Sequence, residues 1–174
     1  MKRAVFLDRD GVLNRSTVRE GRPYAPRSLE EFELLPGVAE ALGRLRNAGF
    51  LLIVVTNQPD VAAGVVRREV LARIHQKLRA LLPIDDIKVC CHVDEDDCAC
   101  RKPRPGMLLE AAREWSIDLE HSFMVGDRWR DVSAGKAAGC KTIFVDYGYA
   151  ERQKDPPDFV VTSLPEAAKI ILQS

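Results

Sequence analysis

The sequence contains no apolar run near the roughly 20 residues that a membrane-spanning helix needs, so no such helix is expected. Neither sign of charge prevails: 26 basic residues balance 26 acidic ones, with no basic stripe. Bulk electrostatics therefore point away from nucleic acid and from membrane surfaces as partners. With no repeat, low-complexity tract or flexible linker, residues 1–174 are expected to form a single domain. After Met1-Lys2-Arg3 the chain is apolar for only four residues before Asp8, too short for a secretory signal, so a cytoplasmic monomer is expected. Cysteine is scarce. Of the five present, Cys90, Cys91, Cys98 and Cys100 crowd together and Cys140 stands alone. Such clustering in a reducing compartment favours a metal over a disulfide framework.

What is present suits a globular protein with a substantial core: 46% of residues are apolar and 30% charged. Short β-forming runs at 4–7, 51–55, 87–90, 122–125, 142–145 and 159–161 alternate with helical patterns at 38–47, 69–82, 107–115, 131–138 and 165–172. This alternation predicts an α/β fold with a mainly parallel sheet covered on both faces. Ligands in such folds bind beyond the carboxyl ends of the strands.

Asp8-Arg9-Asp10-Gly11-Val12 directly follows the apolar run Ala4–Leu7. Side chains two apart on a strand share a face, so both carboxylates should emerge together as Gly11 turns the chain. Two carboxylates 4 Å apart repel by about 4 kcal/mol at an effective dielectric near 20, so a proton or a cation is needed between them.

The stretch from Cys90 to Cys100 offers two short ligand pairs, Cys90 with His92 and Cys98 with Cys100. Three thiolates and an imidazole are the donor set of a closed structural zinc site. Cys91 could replace Cys90, but adjacent residues in extended chain point apart, which favours Cys90. Lys102 follows the last ligand closely, so a metal staple here would fix the backbone that presents it.

Asp8-x-Asp10-Gly11-Val12, Thr56-Asn57-Gln58, Lys102, Gly126-Asp127 and Asp131 together resemble the haloacid dehalogenase (HAD) superfamily of phosphatases. The resemblance implies a Rossmann-like three-layer fold and an aspartyl-phosphate mechanism. It casts Asp8 as nucleophile and Asp10 as general acid and base, with Thr56 and Lys102 holding the phosphoryl group. It implies Mg²⁺ held by Asp8, Asp127 and the backbone carbonyl of Asp10, with Asp131 as a cap or outer partner. Asn57 and Gln58 would line the same rim.

Asp10 to Thr56 and Thr56 to Lys102 each span 46 positions that expected elements nearly fill, leaving no room for the cap domain many HAD enzymes carry. Selectivity should then come from loop 14–35, with Arg15 and Arg19, and from the metal loop with Arg101, joined by Arg128. The Cys-x-His-x₅-Cys-x-Cys-Arg-Lys-Pro segment resembles the zinc loop of two HAD branches. One acts on D,D-heptose 1,7-bisphosphate and the other on histidinol phosphate. Residues 31–38 and 107–109 look like the heptose branch, and a loop rich in arginine suits a second phosphate. A phosphorylated sugar is thus the expected substrate. Histidinol phosphate is the runner-up, and a non-catalytic zinc-stapled phospholigand-binding module is the alternative of another class. His75 and His121 show no partner signature and read as structural or exposed.

Overall fold

The computed structural model describes residues 1–174. Its centre is a six-stranded parallel sheet of β1 (Ala4–Leu7), β4 (Leu51–Asn57), β5 (Asp86–Cys90), β6 (Phe123–Gly126), β7 (Lys141–Val145) and β8 (Phe159–Val161). The strand order is β5-β4-β1-β6-β7-β8. β1 lies between β4 and β6, with Leu7 opposite Val54 on one side and Val125 on the other. A strand flanked and covered on both sides has no solvated face, which is why Ala4–Leu7 is uniformly apolar.

The pleat sorts the strands' side chains into two cores. Val5, Leu7, Leu52, Val54 and Val125 face one layer of helices, α1 (Val38–Asn47), α3 (Arg68–Leu81) and α6 (Leu164–Leu172). Phe6, Ile53, Val55 and Met124 face the other, α4 (Gly106–Trp115) and α5 (Trp129–Ala138). Each large apolar side chain buried this way contributes roughly 1.5–3 kcal/mol. The result is the three-layer Rossmann-like arrangement expected, with no cap inserted and no helix long and apolar enough to cross a membrane.

The loop 14–35 is less irregular than its sequence suggests. It carries a small antiparallel hairpin of β2 (Thr17–Arg19) and β3 (Arg22–Tyr24), turning at Glu20-Gly21. Three-residue strands with Pro23 inside are too short for a period-two signal, so only the turn residues mark them. A four-residue helix, α2 (Pro59–Ala62), follows β4 directly.

Candidate active site

The strands β1, β4 and β6 deliver their carboxyl ends to one place, and the loops beyond them build a cavity of about 310 Å³. Asp8 leaves β1 with its backbone N–H still bonded to Val125 of β6 at 3.0 Å. Gly11 turns the chain at a φ of +82°, and a Cβ there would sit 2.1 Å from Asp127 Oδ2. Glycine is required twice over, by backbone conformation and by close approach.

Asp8 Oδ1 accepts from the backbone of Arg9 at 2.9 Å and from Lys102 Nζ at 3.1 Å, which leaves Oδ2 for other chemistry. Lys102 is 2% exposed and also donates to the Val55 carbonyl and reaches Asp131 Oδ1, both at 2.7 Å. Its backbone is clasped both ways by Asn57, whose amide donates to Lys102 O and accepts from Lys102 N at 3.1 Å. Asp131 Oδ2 accepts from Arg128 N at 3.0 Å, closing the first turn of α5. This committed carboxylate packs against Gly126, where a Cβ would fall 2.2 Å from the Asp131 side chain.

Three carboxylates, Asp8, Asp127 and Asp131, each place an oxygen within 4.8 Å of the others. Burial, then repulsion from Asp131, raises the Asp8 carboxyl from 3.8 to about 7 despite Lys102. Burial and the charge of Asp8 raise Asp127 well above its ordinary value. Burial alone would lower Lys102, but Asp131 and Asp8 more than offset it and hold the ammonium charged. Asp127 Oδ1 is buried with no hydrogen-bond partner. An orphaned carboxylate oxygen among crowded carboxylates fits a hard divalent cation, which would stand where protons otherwise must.

Asp10 behaves differently. Burial would raise its carboxyl, but the Arg9 guanidinium and bonds from Asn14 and Gln58 hold it below the ordinary range. Arg9, wholly buried, donates to Asp10 Oδ1 through Nε at 3.1 Å and Nη2 at 2.7 Å. Its Nη1 meets His75 Nε2 at 2.9 Å, so His75 on α3 is a built partner of the site rather than a bystander. Burial and the Arg9 charge lower His75 to about 4, which keeps the imidazole neutral as an acceptor.

The second cluster lies where the sequence places it. Cys90 Sγ is 2.7 Å from Cys100 Sγ and 3.6 Å from Cys98 Sγ, and His92 Nδ1 lies 3.3–3.4 Å from Cys100 and Cys90. Cys91 is outside the group. Burial would raise Cys98, but the Arg101 N–H and neighbouring thiols lower it to about 7. Four converging sulfur and nitrogen donors fit a metal ion with a closed coordination shell.

The structure separates some expected site residues from the cavity. Asn57, Gln58, Arg101 and Arg128 line it. Thr56 does not: it lies within β4, fully buried, with its hydroxyl accepting from Gln58 Nε2 at 2.9 Å. Arg15 pairs with Glu33 and Arg19 stacks on Tyr24 at 5.5 Å, so neither reaches the cavity wall. The hairpin presents Pro23 and Tyr24 to the cavity instead. Arg130, unassigned by the sequence, lines the rim beside Arg101, and both bond Asp94 of the metal loop. Arg9, Asn14 and Tyr149, whose hydroxyl donates to Asp127 Oδ2 at 2.8 Å, were also not foreseen. Only Asn14 had a local signal, four residues beyond Asp10 on a tight turn.

A family model described as HAD-hyrolase-like matches residues 99–167. The chain is 37% identical to the D-glycero-beta-D-manno-heptose-1,7-bisphosphate 7-phosphatase of Pasteurella multocida, covering 98% of this chain and 97% of that protein. Its fold is similar to the D,D-heptose 1,7-bisphosphate phosphatase of B. bronchiseptica, solved with magnesium and phosphate. That match has a TM-score of 0.84 and 35% identity over 99% of each chain. The corresponding structure from Burkholderia thailandensis is similar at a TM-score of 0.70 and 27% identity, over 99% of this chain and 100% of that one.

Proposed function

The chain belongs to the HAD superfamily of hydrolases, in the branch of heptose 1,7-bisphosphate phosphatases, and from that premise we propose that it removes the C7 phosphate of D-glycero-D-manno-heptose 1,7-bisphosphate through an aspartyl-phosphate on Asp8. The observation that carries this reading is one small cavity pairing the free Oδ2 of Asp8 with a rim of guanidiniums. We assign Mg²⁺ to Asp8, Asp127 and the backbone carbonyl of Asp10, with Asp131 holding Lys102 behind them. When bound, Mg²⁺ neutralises these carboxylates and the phosphoryl oxygens, so that an anionic nucleophile can meet an anionic ester. We assign a structural Zn²⁺ to Cys90, His92, Cys98 and Cys100, where four protein ligands leave no open position.

The chain's own residues then divide the work. Lys102 points its charge at Asp8 Oδ1 and at the incoming phosphoryl group. Asp8 Oδ2 attacks phosphorus as the C7 oxygen leaves. Asp10 is ionised in the free protein and takes up one proton from solvent as the substrate's negative charge enters. It gives that proton to the leaving alkoxide and then takes one from the water that hydrolyses the intermediate. Gln58 Nε2, 2.8 Å from Asp10 Oδ2, fixes the oxygen that faces the leaving group. Thr56 serves by anchoring Gln58, and Asn57 by anchoring Lys102.

The second phosphate falls to Arg101 and Arg128. Arg101 commits Nε and Nη1 to Asp94 and the His92 carbonyl, and Arg128 commits Nε to Glu151. Each keeps guanidinium N–H groups for an anion. At about 310 Å³ the cavity is at the small end of ligand sites, suited to a phosphorylated sugar rather than a polymer. Histidinol phosphate, which carries an amine, is poorly matched to a cationic rim, and a non-catalytic binder has no use for the intact Asp8, Asp10 and Lys102 set. We read the protein as a monomeric enzyme of the cytoplasm.

Comparing kcat/KM for heptose 1,7-bisphosphate, heptose 7-phosphate and histidinol phosphate tests the reading. One charge-assisted contact of roughly 1.5–3 kcal/mol gives the bisphosphate an advantage of about 10-fold or more. Arg101→Ala should erase that advantage. Equal efficiency on all three, or a preference for histidinol phosphate, overturns the assignment.

A further inference from the structure

The segment that leaves β7, residues 146–151, is tied to the turn after β1, to the hairpin turn and to the residues that follow β6. Tyr147 donates its hydroxyl to the Gly11 carbonyl at 2.7 Å, gripping the turn after Asp10. Tyr149 donates to Asp127 Oδ2 at 2.8 Å. The two rings stack, with centroids 5.5 Å apart and an interplanar angle of 18°. Between them Gly148 adopts a φ of +70°, which lets both phenols point the same way. Ala150 N–H bonds the Gly21 carbonyl in the hairpin turn. Glu151 receives the Arg128 side chain and the Trp129 N–H at the start of α5.

Asp127 is 1% exposed and could turn either oxygen toward the cavity. Tyr149 removes that choice: Oδ2 is occupied, and Oδ1 is left buried without a partner. The close approach of Gly11 to Oδ2 closes the other side of the same oxygen.

We propose that Tyr149 is a positioning residue for the divalent cation, holding Asp127 Oδ2 so that Oδ1 is the oxygen presented to the ion. The inference rests on Asp127 being a cation ligand, as assigned above. Partners that orient a ligating side chain are worth about 10–100-fold in metal affinity, by fixing its geometry before the ion arrives. Losing the Tyr149 hydroxyl should therefore weaken cation binding while leaving the reacting groups untouched.

Calorimetric titration of Mg²⁺ into the protein stripped of Mg²⁺, with its cysteine-bound metal retained, tests this in Tyr149→Phe, Tyr147→Phe and Asp127→Asn. Tyr149→Phe should bind Mg²⁺ about 10–100-fold more weakly. Its kcat should recover at saturating Mg²⁺, so that the defect lies in the Mg²⁺ requirement. Tyr147→Phe keeps the stacked ring and should retain the affinity of the parent protein. Unchanged affinity in Tyr149→Phe beside a loss in Asp127→Asn overturns the role of Tyr149 alone. Equal losses in both tyrosine variants also overturn it, since the segment as a whole would then be responsible. Unchanged affinity in Asp127→Asn overturns the cation assignment beneath it.

Discussion

Replacing Asp8 by asparagine should abolish turnover and yet make the cation-free protein more stable at alkaline pH. The fold holds the Asp8 carboxyl at about 7 against an ordinary 3.8. Between those values the native state keeps a proton that the unfolded chain has released. Stability therefore falls as pH rises through that window and levels off above 7. At about 1.4 kcal/mol per pH unit, the full cost of ionising Asp8 is about 4 kcal/mol. Asparagine escapes that cost, in which the attraction of Lys102 for the ionised carboxylate is already counted. A gain of up to about 4 kcal/mol at pH 8 is expected from the escape of that ionisation cost. It should shrink to about 1.6 kcal/mol at pH 5, where the native Asp8 is still protonated and only the uptake of its proton from the largely ionised unfolded chain counts. Urea unfolding of both proteins in chelator at the two pH values measures it directly. An Asp8→Asn protein destabilised to the same extent at pH 5 and pH 8 would refute the reasoning, because the crowded carboxylates would then carry no ionisation cost.

Lys102→Met should cost about 3–5 kcal/mol at pH 8, since it strips the one buried ammonium from Asp8 and Asp131, and the loss should shrink at pH 5 as Asp8 takes up its proton. A loss below about 1 kcal/mol in urea unfolding at pH 8 contradicts that. Cys98→Ser should release the bound metal to a chelator, lower Tm and slow turnover together, because the same loop carries Arg101 and Lys102; parent-like Tm and rate count against the staple. Gly126→Ala forces a Cβ into Asp131 and should cost about 1–3 kcal/mol of overpacking while disturbing the Lys102 contact. Unaltered stability and rate would show that the approach of Gly126 to Asp131 is not needed.

The frame of the fold is legible in the sequence because its strands are short, apolar and punctuated. Residues 4–7 and 159–161 and helix 38–47 have the predicted bounds, and the other main strands and helices shift by one or two residues at their ends. The hairpin at 17–24 escapes because three-residue strands are held by a turn and by Ala150 far along the chain. Residues brought together by local spacing, such as Asp8 with Asp10 and Cys90 with His92, Cys98 and Cys100, converge as the sequence places them. Arg9, His75 and Tyr149 cannot be read this way, since their partners are brought together only by the packing of α3 and the return of the chain after β7. The arginines of loop 14–35 show the same limit: their charge is visible in sequence, but the pairing of Arg15 with Glu33 and of Arg19 with Tyr24 is not.

The central claim is that Asp8 Oδ2 receives the phosphoryl group. A crystal structure grown with Mg²⁺ and beryllium fluoride, which mimics a phosphorylated carboxylate, tests it most directly. The account predicts a trifluoroberyllate bonded to Asp8 Oδ2, with Lys102 Nζ against it and Asp127 Oδ1 on the ion. An adduct on Asp10, or an unmodified Asp8 with the fluoride complex held apart from it, would contradict the account.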